Sequence, residues 1–168
     1  MFCGFFNLCY YVNNMLKQII KDKKDFEYVA KIVLGRTVLP GSKTTIVTLS
    51  GDLGAGKTTF VQSVGKILGI KKKIVSPTFV LMKRYGISLS GRLTSGSFEN
   101  MYHIDAYRLE GKDIKHELKL LGFAEIIKDP KNLIFIEWPE ILGKNLPKKV
   151  LKIKIKHKGE NTREVLIK

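Results

Sequence analysis

At 168 residues the chain has the length of one domain, enough to bury a core without staples. Its apolar share of 44% and charged share of 27% are those of an ordinary globular protein, and its two cysteines, Cys3 and Cys9, have neither metal nor redox spacing, which argues against a disulfide scaffold and an oxidising compartment. The formal charge of +15, carried by 25 lysines against five arginines, favours diffuse attraction to polyanions over bidentate recognition.

Residues 2–12 form an apolar, aromatic-rich run, much shorter than the roughly 20 residues that a membrane-spanning helix needs. The run has no basic leader and no small-residue cleavage site, so it fits a signal peptide poorly. Residues 1–14 read as a mis-assigned start or a disordered lead, and residues 15–168 as the domain, with helical sequence expected from Met15. Phe26, Val29, Ala30, Val33 and Leu34 make one stripe of an amphipathic helix, capped by Asp22 or Asp25 and stopped by Gly35. A turn is expected at Pro40-Gly41, then a β-branched strand over residues 44–49. The glycine-rich stretch 51–58 follows directly, with a helix over residues 57–68 ended by Gly69.

Ile74-Val75 and residues 79–85 read as short strands around Ser76-Pro77-Thr78, and residues 86–97 as a glycine- and serine-rich loop. Further strands are expected over residues 101–105 and 133–136, the second apolar throughout as a fully buried strand is. Between them Ile114, Leu118 and Leu121 mark a short helix closed by Gly122. Residues 150–157 and 164–167 suit a final hairpin or edge pair, with Lys152, Lys154, Lys156 and Lys158 as the solvated face of a half-buried strand. The fold class is α/β: a single P-loop NTPase-like domain with a mostly parallel central sheet flanked by helices.

Gly51-Asp52-Leu53-Gly54-Ala55-Gly56-Lys57-Thr58 matches G-x-x-x-x-G-K-[ST] in full, between an expected strand and an expected helix. Glycines at 51, 54 and 56 let backbone N–H groups approach phosphate oxygens, and the helix after them directs its positive end there. Lys57 offers a cation to the β- and γ-phosphates and Thr58 a hydroxyl to Mg²⁺, while Asp52 suits loop shaping. The acidic half of such a site sits at the end of another buried strand. Glu137 and Asp105 both satisfy that description, and the residues alone leave open which is the direct metal ligand. Trp138, the single tryptophan, follows Glu137 and suits a place beside the nucleotide. His103 reads as structural, Arg108 as a partner of phosphate or of Asp105, and the hydroxyls of Ser76 and Thr78 as turn satisfiers.

The stretches GDLGAGKTTF (51–60), SPTF (76–79), YHIDAYRL (102–109), LGF (121–123) and IEWPE (136–140) together resemble the TsaE family, the P-loop ATPase subunit of bacterial tRNA threonylcarbamoyladenosine biosynthesis. The resemblance covers roughly residues 20–140 and implies a cytoplasmic ATPase, slow by itself. It would work with TsaB- and TsaD-like partners that modify adenosine 37 of tRNAs reading codons that start with A, touching tRNA indirectly and no membrane. Its implied cofactors are ATP and Mg²⁺. By motif, Gly51 to Thr59 (Leu53, Ala55 and Thr59 included) would hold the nucleotide, and Thr58 and Glu137 the metal. Asp105, Glu137 and Trp138 would serve hydrolysis, with Ser76, Pro77 and Thr78 as a switch loop beside the γ-phosphate. The alternative is a small P-loop kinase for a nucleoside or metabolite, but no lid-like arginine pair is visible among Arg84, Arg92 and Arg108. A GTPase would need an Asn-Lys-x-Asp motif, which the chain lacks, and an RNA-binding module is suggested by charge alone.

Overall fold

A computed structural model of the chain describes residues 9–12, 15–37, 45–88 and 98–168. The expected turn at Pro40-Gly41, residues 1–8 and 13–14 of the expected lead, and most of the 86–97 loop lie outside those residues. Eight strands form one sheet in the order β1-β2-β8-β7-β3-β6-β5-β4. They are β1 (Cys9–Val12), β2 (Met15–Ile20), β3 (Thr45–Ser50), β4 (Met82–Gly86), β5 (Asn100–Asp105), β6 (Asn132–Glu137), β7 (Leu151–His157) and β8 (Arg163–Ile167). The helices are α1 (Lys23–Thr37), α2 (Lys57–Ile67), α3 (Ile114–Leu120), α4 (Phe123–Ile126) and α5 (Pro139–Leu142), with a 3-10 turn at Ala106–Leu109.

The parallel sheet expected from the sequence is the middle of this one. β7, β3, β6 and β5 run parallel, and the outer pairs β4–β5, β7–β8, β8–β2 and β2–β1 are antiparallel. Helices cover both faces of the middle strands, which explains the unbroken apolar run of β6. Alternation assigns Val47, Leu49, Leu133 and Phe135 to the face under α1 and α2. Ile46, Ile104, Ile134 and Ile136 turn to the other face, against the 3-10 turn, α3, α4 and α5. Phe60 of α2 is fully buried with its ring centroid 6.3 Å from those of both Phe26 and Phe135, each in an edge-on arrangement, and so fixes α2 over β6. No helix among the described residues is long and apolar enough to cross a membrane.

Four local expectations are corrected. Met15 opens a strand and not a helix: Leu16, Gln18 and Ile20 are buried at period two, and β2 pairs with β8 along Leu16–Ile20. Leu16 and Ile20 are also four apart, so the two periods compete in the sequence, and sheet pairing decides. Within the expected lead, Cys9–Val12 pair with β2 as an edge strand. Helix α1 begins at Lys23, where Asp22 Oδ1 accepts from the amides of Lys24 and Asp25 while Asp25 Oδ2 accepts from Lys21 N, a reciprocal cap in which both candidates serve. It continues through Gly35 to Thr37, whose hydroxyl donates to Leu34 O at 2.8 Å. Finally, residues 74–81 are loop and β4 starts only at Met82. Pro77 brings no N–H to a ladder, Val80 N closes a turn on Pro77 O at 2.8 Å, and Leu81 adopts a left-handed φ of 61°.

Candidate functional site

Because β3, β6 and β5 are parallel neighbours, their carboxyl ends emerge side by side, where α/β sheets bind ligands. The loop after β3 carries the glycine motif into α2. Gly51 has φ 143°, and a Cβ there would lie 2.1 Å from the carbonyl oxygen of Ile155 on β7. Only glycine lets the loop leave the sheet so close to its neighbour. Gly56, in the left-handed region, precedes the first turn of α2, whose free N–H groups face the cleft end of the loop.

Lys57 is 95% buried, with 5% of its surface exposed. Its Nζ donates to the carbonyls of Gly51 at 2.7 Å and Asp52 at 2.9 Å and lies 3.8 Å from the centre of the Trp138 ring. Burial pushes its ammonium below the ordinary lysine value, opposed by the charges of Glu137, Asp105, Glu140 and Asp52.

Thr58, the next residue on α2, donates its hydroxyl to Glu137 Oε1 at 2.8 Å. Glu137 is the last residue of β6 and only 3% exposed. The same Oε1 lies 2.7 Å from His103 Nε2, on β5. Asp105 ends β5 opposite Glu137 in the strand register. Its Oδ2 accepts from Ser76 Oγ at 3.1 Å and Thr78 Oγ1 at 2.5 Å, and its Oδ1 from Tyr107 N at 3.1 Å. Asp105 N donates to Leu81 O, so the segment from Ser76 to Leu81 is tied to one carboxylate residue by side chain and backbone. The sequence reading of Ser76 and Thr78 as turn satisfiers is therefore incomplete: their hydroxyls reach across to Asp105.

Trp138 follows β6 with φ 57° and ψ 50°, a left-handed conformation that costs a non-glycine residue about 1–2 kcal/mol. Its N–H donates to Leu49 O at 3.2 Å, Pro139 starts α5 directly after it, and its ring packs on Tyr107 with centroids 5.2 Å apart. The strained turn aims the ring at Lys57. Arg108, which the sequence offers to phosphate or to Asp105, lies over the exposed ring of Phe79 at 4.5 Å.

Leu53, Gly54, Gly56, Lys57, Thr58, Thr59, Ser76, Thr78, Asp105, Glu137 and Trp138 line one cleft of about 340 Å³. Of the other sequence candidates, Gly51 and Asp52 supply carbonyls to Lys57, Ala55 is buried behind the loop, and Pro77 forms the turn that presents Thr78. Sequence reasoning missed the contact of His103 with Glu137, the packing of Tyr107 and the charge of Glu140. The signal for His103 was its parity: it stands two residues before Asp105 on one strand, as Phe135 stands two before Glu137 on the next. The donor set suits magnesium. No group of three or more His, Cys, Asp or Glu side chains able to hold a metal occurs among the described residues, whereas a hydroxyl and a carboxylate meet at the helix start. Mg²⁺ is ordinarily bound by one or two such oxygens together with substrate phosphates.

A family described as "Threonylcarbamoyl adenosine biosynthesis protein TsaE" matches residues 20–165. The chain is 40% identical over 129 residues to the tRNA threonylcarbamoyladenosine biosynthesis protein TsaE of Nostoc sp., covering 77% of this chain and 71% of that one. It is 35% identical over 146 residues to the protein of the same name from Rickettsia felis, covering 86% and 75%. The crystal structure of Bacillus subtilis YdiB is similar with a TM-score of 0.64 at 26% identity, covering 94% of this chain and 87% of that one. With the glycine motif, the strand-end carboxylates and the tryptophan turn in one cleft, and the match spanning nearly the whole described domain, the chain belongs to the TsaE family of tRNA threonylcarbamoyladenosine biosynthesis.

Proposed function

We propose that the chain is a cytoplasmic, magnesium-dependent ATPase that serves threonylcarbamoyl modification of adenosine 37 in tRNAs reading codons that start with A, acting with TsaB- and TsaD-like partners. The observation that carries this reading is the convergence of Lys57, Thr58, Asp105, Glu137 and Trp138 on one cleft at the carboxyl ends of β3, β5 and β6.

The loop amides and the start of α2 would cradle the phosphates of ATP, and Lys57 would exchange the carbonyls of Gly51 and Asp52 for phosphate oxygens. Thr58 and Glu137 would hold Mg²⁺, which when bound neutralises charge developing on the β- and γ-phosphates. Asp105 would orient the attacking water and take up its proton. Since Asp105 already holds Ser76 and Thr78, the loop they belong to would sense whether that position is engaged. Leu53 and Phe79, 85% and 83% exposed, adjoin the cleft, which supports a reading in which partner proteins cover it and set its rate.

The test is hydrolysis by the purified chain, alone and with its partner proteins. Slow turnover is expected for the chain alone, a changed rate with partners, and about a 10²-fold lower rate in Asp105→Ala, the size of an acid–base contribution. Fast turnover that needs a small acceptor and yields a phosphorylated product would replace this reading with a kinase.

A further inference from the structure

We infer that His103 is the positioning residue for Glu137, fixing the carboxylate that would hold magnesium; the inference rests on the nucleotide-site reading above. His103 is completely buried on β5, and among the described residues its ring bonds through Nε2 to Glu137 Oε1 at 2.7 Å. A carboxylate in an ion-binding role only accepts, so the ring proton sits on Nε2 and the histidine donates. Nδ1 is buried without a hydrogen-bond partner among the described residues. A buried polar atom left in that way has lost its water without gaining a partner, a cost that packing alone would avoid with an apolar side chain. The cost is offset at the other nitrogen.

Glu137 Oε1 receives two donors, Thr58 Oγ1 from α2 and His103 Nε2 from β5. The strand register explains the reach: His103 is opposite Phe135, so Glu137 lies one step further along the same face. The carboxylate is thereby held between a helix and a neighbouring strand, and its rotamer is set before any cation arrives. Thr58, spending its hydroxyl hydrogen on Glu137, keeps its oxygen lone pairs for the cleft. Hydrogen-bond partners of metal-binding carboxylates act on metal affinity in this way without touching the ion.

The experiment measures binding of a fluorescent N-methylanthraniloyl ATP at increasing magnesium, for wild type, His103→Gln, His103→Asn and His103→Leu. Glutamine can place an N–H near the ring Nε2 position, asparagine is too short, and leucine has no donor. The magnesium concentration at half-effect is expected to rise about 10–100-fold in His103→Asn and His103→Leu and to stay within about threefold of wild type in His103→Gln. Affinity in EDTA should be equal in all four, which also verifies that each variant is folded. Equal magnesium dependence in wild type and His103→Leu, or an equal shift in His103→Gln and His103→Leu, would overturn the positioning role while leaving the ATPase reading in place. A wild-type chain that binds no nucleotide would overturn both.

Discussion

At the scale of single residues, Gly51 and Trp138 show how much local strain the cleft accepts. Replacement of Gly51 by alanine would set a Cβ 2.1 Å from the Ile155 carbonyl oxygen, a backbone atom that cannot swing aside, at a φ of 143°. Gly51→Ala is expected to cost at least about 3 kcal/mol in urea unfolding, through overpacking and backbone strain together. An unchanged midpoint would mean that the loop does not leave β3 along this path. The glycine motif and its lysine and threonine were readable from spacing, because each residue type there has one physical use. The partners of Asp105 and Glu137 were not. Ser76 and Thr78 lie 29 and 27 residues before Asp105, and Thr58 lies 79 before Glu137. Nothing local in the chain records such meetings; the order of strands creates them.

At the scale of elements, the antiparallel half of the sheet is held partly by charge. Glu164 of β8, 4% exposed, is paired with Lys17 of β2, and Lys158 lies 3.8 Å away. The Lys17 hydrogen bond chiefly holds the Glu164 carboxyl below its ordinary value of 4.5, against the opposing effect of burial, with the charges of Lys17, Lys158 and Lys156 assisting. The folded chain therefore binds the ionised form better than the unfolded chain does. That stabilisation is complete above pH 4.5 and is lost as pH falls through the lower, folded value. Glu164→Gln should lower stability by about 1 kcal/mol at pH 7, and the gap should close on acidification. A gap that stays constant between pH 7 and the acid limb would contradict the ion pair. Strands β3, β5, β6 and β7 were legible because their apolar runs or alternation admit one period. The strand at β2 was hidden by the four-residue spacing of Leu16 and Ile20, and the loop at 74–81 by apolar residues that serve turns and contacts instead of a ladder. Gly35 misled in the other direction: inside α1 it is exposed and keeps an ordinary helical φ, so it needs no chain reversal.

At the scale of the whole molecule, the chain carries a charge of +15, yet Lys57 is the one lysine that lines the described cleft. Lys152, Lys154 and Lys156 are exposed on the outer face of β7, as alternation predicts. The cleft instead gathers Asp105 and Glu137 around one buried lysine, with the charges of Asp52 and Glu140 acting on it. A site of that kind, at the ends of three parallel strands, is common to many P-loop chemistries, and fold alone does not choose among them. The family match assigns the pathway, and the proposed hydrolysis requires that ATP enter this cleft beside Lys57. Trp138, the single tryptophan of the chain, has its ring 3.8 Å from Lys57 Nζ and reports on that event without a label. Titrating ATP with magnesium should move its fluorescence along a saturable curve, and Lys57→Ala should abolish the response or weaken binding by at least about tenfold, the loss of one charge-assisted contact. Unchanged Trp138 emission in a folded wild-type chain, together with no retention of ATP in equilibrium dialysis, would contradict it.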